Sequence, residues 1–165
     1  MVTVMPKGSA VVTLPDERQI RITRDFAAPR HLVYRAFTEP DLVKRWWHAK
    51  RGEVTLAEVD LRVGGKWRWV MVTPDGMEVA FHGEWQEIVP NERLVYTEVF
   101  EGVAGGDDNP AVNTATLVET DGVTTLTVLT ELADQATRDA ILETGMEAGM
   151  QDAYDLLEEV ARSLV

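Results

Sequence analysis

Apolar and polar positions change rhythm three times along this chain, and each change marks an element boundary. Residues 1–12 read as an N-terminal leader, with Ala10 to Leu14 as a candidate short edge strand, and one domain is expected over 13–165. Gln19 to Phe26 alternates as a strand. Pro29 then stands where a helix opens, since its fixed φ and missing N–H suit the first helical position. Leu32, Val33, Ala36 and Phe37 form the apolar stripe of that short helix, and a second one follows with Leu42, Val43, Trp46 and Trp47. From Gly52 the period becomes two. It predicts strands over Val54 to Leu61, Lys66 to Val72, Met77 to Val89, Leu94 to Glu101, Val112 to Thr120 and Val123 to Glu131. Pro74-Asp75-Gly76 and Asp121-Gly122 are turn signals between them. Glu101 to Pro110, rich in Gly and Asp, reads as a mobile loop. Asp134 caps a final helix expected to run unbroken to about Ser163, roughly 40 Å long.

This order predicts an α+β fold. A curved antiparallel sheet of about six or seven strands wraps a long C-terminal helix, with two short helices after the first strand. A sheet this wide cannot be covered by one flat-lying helix, so it must curl. The positions expected on the concave face are large: Trp67, Trp69, Met71, Phe81, Trp85, Tyr96 and Phe100. The facing stripe of the helix is small or pliant, with Met146, Gly149, Met150 and Ala153. Such a pairing can leave a cavity for an apolar ligand, with Trp46 and Trp47 flanking its mouth. The plainer alternative is that the aromatics only fill the core. Outward-facing Val70, Val72, Val95 and Val99 are a candidate patch for a homodimer, against the alternative of scattered surface residues.

Composition narrows the function. The 165 residues carry a formal net charge of −12, a poor match to nucleic acid. No apolar run approaches the roughly 20 residues of a membrane span. The start of the chain does not read as a secretory signal, so the cytoplasm is the default location. The chain has no cysteine, which excludes disulfides and thiolate chemistry.

Most catalytic chemistry finds no support. His31, His48 and His82 are far apart in sequence, so no metal is expected. Ser9 and Ser163 lie near the ends, outside any nucleophile motif. Gly102 to Gly106 lacks the features of a phosphate loop, and no dinucleotide or other cofactor is expected. One acid–base candidate remains. Glu98 shares the inner face with Tyr96 and Phe100, where burial would raise its pKa; the alternative is a strand-end Glu that reaches water. Thr130 follows Leu126 and Val128 inward as a second polar group, while Arg68 alternates with the Trp face and points outward.

Several segments together resemble a known family. They are Arg24 to Pro29, Leu32 to Pro40, the Trp46-Trp47 pair, Asp60 to Trp67, His82-Gly83 with Glu87 to Pro90, Arg93 to Thr97, and Gly145 to Met150. In order and spacing they resemble the bacterial branch of the activator-of-heat-shock-ATPase homologue (AHSA) family, within the START-like, birch-allergen-like SRPBCC superfamily. The resemblance implies a helix-grip fold with a ligand cavity between sheet and helix. It implies binding or sequestration of a lipid-like or aromatic molecule, a cyclase or hydrolase acting on a polyketide-like substrate, or a co-chaperone contact. The chain departs from the commonest pattern at His48-Ala49-Lys50, where relatives carry a Gly-Pro turn, and at Glu98 and Met150, where they often have Trp.

Overall fold

The computed structural model describes residues 10–101 and 109–165. Residues 1–9 of the expected leader, and positions 102–108 of the Gly- and Asp-rich segment with its glycine run, lie outside the described residues.

The elements follow one another as β1 (Val11–Thr13), β2 (Gln19–Phe26), α1 (Arg30–Thr38), α2 (Pro40–Val43), β3 (Glu53–Val59), β4 (Lys66–Val72), β5 (Glu78–Val89), β6 (Arg93–Phe100), β7 (Ala111–Thr120), β8 (Val123–Glu131), α3 (Gln135–Glu143) and α4 (Met146–Ser163). The strands form an eight-stranded antiparallel sheet in the order β1-β2-β8-β7-β6-β5-β4-β3. The candidate edge strand is real. Val11 and Val12, assigned to the leader from sequence, pair with Thr23 and Ile22, so the sheet begins inside the expected leader.

Side chains alternate along the strands, and most of the buried ones share one inner face. Tyr96 on β6 lies opposite Asn113 on β7, which lies opposite Thr130 on β8, which lies opposite Ile20 on β2. The sheet bends at two register shifts, between Val54 and Leu56 and between Trp85 and Glu87. An extra residue on one strand increases twist and curls it. Gly83 permits a further close approach. A Cβ there would stand 1.8 Å from the Thr97 carbonyl oxygen and 2.7 Å from the Trp67 indole nitrogen.

The C-terminal helix corrects the expected single element. Asp134 caps α3 by accepting the Thr137 N–H at 2.7 Å, but the helix ends at Glu143 and restarts at Met146. Thr144 turns its hydroxyl back onto the Ile141 carbonyl at 2.5 Å, and Gly145 takes a left-handed φ of 78°. Such a φ is open to glycine and costly to other residues. The apolar stripe from Leu142 to Met146 runs straight through this break, so periodicity alone does not reveal it.

The expected second short helix is also shorter. Its regular part stops at Val43, and the chain reaches Lys50 through successive turns. Core positions of β2, β8, α1 and α4 meet at Phe26, Leu126, Val33 and Leu157, each almost fully buried. The outward patch proposed for a dimer is corrected as well. Val70 and Val99 are 4% and 8% exposed, on the same face as the Arg68–Glu101 ion pair, and Val72 and Val95 are half-buried. No helix among the described residues is long and apolar enough to cross a membrane.

Candidate functional site

The grip closes through three sets of polar contacts from α4. Gln151 accepts the Ala10 N–H at 2.9 Å and donates to the Ala10 carbonyl at 2.8 Å, next to the β1 edge. The neighbouring residue, Asp152, accepts from Arg51 at 2.8 Å, just before β3 at the other edge. Two adjacent helical residues therefore reach the chain beside opposite edges of the sheet. Arg24 on β2 supplies the third set, bonding Asp155 at 2.7 Å and approaching Glu158 to 3.6 Å.

Beneath α1 and α2 the inner-face aromatics form one network. Trp67 and Trp69 lie 5.1 Å apart, Trp85 and Tyr96 5.2 Å, and Trp67 meets Tyr96 edge-on at 5.9 Å. Phe37 and Trp46 pack onto them from above: Phe37 meets Trp69 and Tyr96, and Trp46 meets Trp69. Offset and edge-to-face pairs at such spacings are favourable beyond their buried area. Trp46 is fully engaged, its indole N–H donating to the Ala36 carbonyl at 2.8 Å. The indole N–H groups of Trp67, Trp69 and Trp85 are buried with no hydrogen-bond partner among the described residues. These three nitrogens are shut in by the packed rings around them.

The remaining expected residues behave differently. Trp47, Phe81, Met146 and Met150 are apolar yet only half-buried, each packed on the core's edge. Phe81 lies tilted at 4.9 Å against Phe100, which is 48% exposed, and meets Trp47 edge-on at 5.7 Å. Met71 and Gly149 are half-buried, and Gly149 lies beside the Arg51 guanidinium. Trp46 and Trp47 thus separate. Trp46 is core, and Trp47 belongs with Phe81 and Phe100.

Glu98 sits on the inner face of β6, opposite Ala111 of β7. Burial raises its carboxyl above the ordinary value, opposed in part by a hydrogen bond from the Asn113 side chain. Glu98 still keeps accessible surface. Thr130 donates to Asn113 Oδ1 at 2.6 Å, completing a chain of three side chains over β8, β7 and β6. Burial, with the charge of Glu98 added, raises the hydroxyls of Tyr96 and of Tyr154, which reaches the same place from α4.

Glu98 and Thr130 were expected on this face, and Arg68 on the other. Arg68 indeed bonds Glu101 at 2.8 and 2.9 Å among outward groups. Asn113 and Tyr154 were not singled out. Tyr154 lies on the buried stripe of α4, but only the β6–β7 register brings Asn113 beside Glu98.

Two measurable clefts lie elsewhere. One of about 430 Å³ is lined by Asp16, Arg18, Gln19, Glu131 and Leu132, the other of about 550 Å³ by Glu58, Asp60, Arg62 and Lys66. Their charged walls, away from the inner-face aromatics, do not suit an apolar guest. No cluster of three or more potential metal-ligating His, Asp or Glu side chains occurs among the described residues.

Comparison with known proteins adds to this geometry. The sequence profile of the family described as "Activator of Hsp90 ATPase homolog 1-like protein" matches residues 27–162. A crystal structure of a protein from Rhodobacter sphaeroides is similar with a TM-score of 0.86 at 24% identity, over 95% of this chain and 100% of that one. One from Nitrosomonas europaea is similar with a TM-score of 0.80 at 26% identity, over 91% and 97%. One from Chromobacterium violaceum is similar with a TM-score of 0.72 at 30% identity, over 86% and 95%. No curated protein matches the chain.

Proposed function

This chain belongs to the family of Activator of Hsp90 ATPase homolog 1-like proteins, and from that premise we propose that it binds a bulky apolar small molecule between its sheet and its C-terminal helices. The observation that carries this reading is the set of half-covered apolar side chains at the edge of the core. Trp47, Phe81, Phe100, Met146 and Met150 leave apolar surface uncovered beside an otherwise closed aromatic network. Covering such surface stabilises a complex by about 25 cal/mol per Å² before the costs of association. The two methionines adapt their shape to different guests. Gly145 provides a joint at which α3 can shift relative to α4 when the guest enters.

The test is a titration with naphthalene, followed by backbone amide shifts and Trp fluorescence. Shifts centred on Trp47, Phe81, Phe100 and Met146 are expected. Shifts confined to the charged clefts, or none at all, would sink the reading.

A second reading has its own observation. Glu98 is a desolvated carboxyl that stays accessible, and such a group can donate or accept a proton during turnover of a polyketide-like substrate. In that case Glu98→Gln abolishes turnover and leaves binding intact. Loss of binding and turnover together would leave Glu98 a binding group only.

A further inference from the structure

The apolar rim accounts for affinity but not for selectivity. The polar side chains of the inner face can supply that. Thr130, Asn113 and Glu98 come from three successive strands, so the sheet's own hydrogen-bond ladder fixes their spacing. Thr130 donates to Asn113 Oδ1 at 2.6 Å, which turns the amide so that its NH₂ group serves Glu98. Asn113 is 3% exposed and has no freedom to reorient toward water. Ala111, the partner of Glu98 across the ladder, presents only a methyl group beside it. Tyr154 approaches from α4, near enough for the Glu98 charge to act on its hydroxyl.

Arg24 is the cation that acts on Tyr154, and less strongly than Glu98 does. Arg24 is the buried guanidinium of the same face, and Asp155 and Glu158 of α4 hold it at 2.7 and 3.6 Å. A carboxylate guest would therefore place its charge near Glu98, with Arg24 already shared between two carboxylates. In a partly desolvated setting that costs far more than it would in water. A hydroxyl guest meets no such obstacle. It both donates and accepts, so it can donate to a Glu98 oxygen and accept from the Tyr154 hydroxyl.

We propose that the Thr130–Asn113–Glu98 chain, faced by Tyr154, is the polar anchor of the groove, and that it selects neutral hydroxyl-bearing apolar ligands over anionic ones. This rests on the ligand-binding reading above and adds the chemical class of the guest. Fatty-acid anions are excluded by it, whereas phenols and sterol-like or long-chain alcohols are admitted.

Three probes of one skeleton separate the two claims: naphthalene, 2-naphthol and 2-naphthoate, titrated near neutral pH and followed by backbone amide shifts. Naphthol is expected to bind about tenfold or more tightly than naphthoate, the size expected for one hydrogen bond to a charged or buried group. In Glu98→Gln, which keeps the shape and the contact with Asn113, naphthoate should gain and the naphthol preference should shrink severalfold. Well-dispersed amide spectra confirm that the variant is folded. Thr130→Val provides a second variant. It frees the Asn113 amide and should weaken naphthol without changing naphthalene.

If naphthalene binds but naphthoate binds as well as naphthol, the anchor is refuted and the groove survives. An unchanged preference in Glu98→Gln refutes it too. If none of the three binds, the groove and the anchor fail together.

Discussion

The Arg24 guanidinium on β2, almost wholly buried, bonds the Asp155 carboxylate on α4 at 2.7 Å, although Asp155 itself is largely exposed. The guanidinium also lies 4.9 Å from the centre of the Phe26 ring. Beside it, Glu158 accepts the Ala27 backbone N–H at 2.9 Å. The second half of α4 is thus tied to β2 by charge, by stacking and by a backbone contact.

The two ends of this pair should respond unequally. Arg24→Ala removes the stacked cation and leaves the half-buried Glu158 charge with only the Ala27 N–H to oppose it, so it should cost about 3 kcal/mol. Asp155→Asn keeps a hydrogen-bond acceptor at an exposed site and should cost less than about 1 kcal/mol. Urea unfolding of both variants checks this, and equal losses would show that the contact is not organised around the buried end.

On the convex face, Glu101 is held at a pKa of about 2, first by its hydrogen bonds from Arg68, with a further contribution from His82 at 2.8 Å. A carboxyl depressed by folding contributes stability that is present above its ordinary value. That contribution is lost as pH falls through the folded value near 2. The pair is partly exposed, so solvent screens much of it. Arg68→Ala should return Glu101 most of the way to an ordinary carboxyl, read by side-chain carboxyl shifts in an NMR titration. A midpoint that stays low would point to another cause.

These two contacts mark where the sequence is informative and where it is silent. Alternation placed Trp67 and Trp69 inward, and Asp121-Gly122 placed the last hairpin, because both signals are local to a few residues. The same rule placed Glu98 two positions from Tyr96 on the inner face. It could not supply Asn113, because which β7 residue faces β6 depends on register. It could not separate Trp46 from Trp47 either, since adjacent residues in a turn diverge according to packing from α1. Arg24 lies in the strand expected over Gln19 to Phe26, but its partners on α4 lie 131 and 134 positions away and follow only from tertiary structure. The outward valines read as exposed because strand periodicity gives a face and says nothing of what covers it.

Residues 49 and 50 carry positive φ angles, 51° for Ala49 and 61° for Lys50. Neither is glycine, and the left-handed region costs ordinary residues roughly 1 kcal/mol. His48 offsets part of this by accepting the Lys50 N–H through Nδ1 at 3.0 Å. The Lys50 side chain is exposed, so Lys50→Gly should stabilise the fold by about 0.5–1 kcal/mol. Thermal and urea unfolding check the sign. A destabilised variant would mean that the flexibility gained by the unfolded chain outweighs the relieved strain.

Glu98 should carry a cost that appears only as pH rises. Burial raises its carboxyl in the folded state, while the unfolded chain keeps the ordinary value of 4.5. Below that value both states hold the proton, and the folded state suffers no charge penalty. Between the ordinary and the raised value, the folded state binds more protons than the unfolded one, so this group's contribution falls with increasing pH. Above the raised value the full penalty is present and constant. Glu98→Gln removes the ionisation but keeps the volume and an acceptor for Asn113. The variant should therefore match the parent in acid and become the more stable of the two toward neutrality. Taking the difference between the two proteins at each pH cancels the titration of every other carboxyl. Urea midpoints from pH 4 upward provide that difference, and a flat profile would show that the Glu98 carboxyl is hydrated in the folded protein.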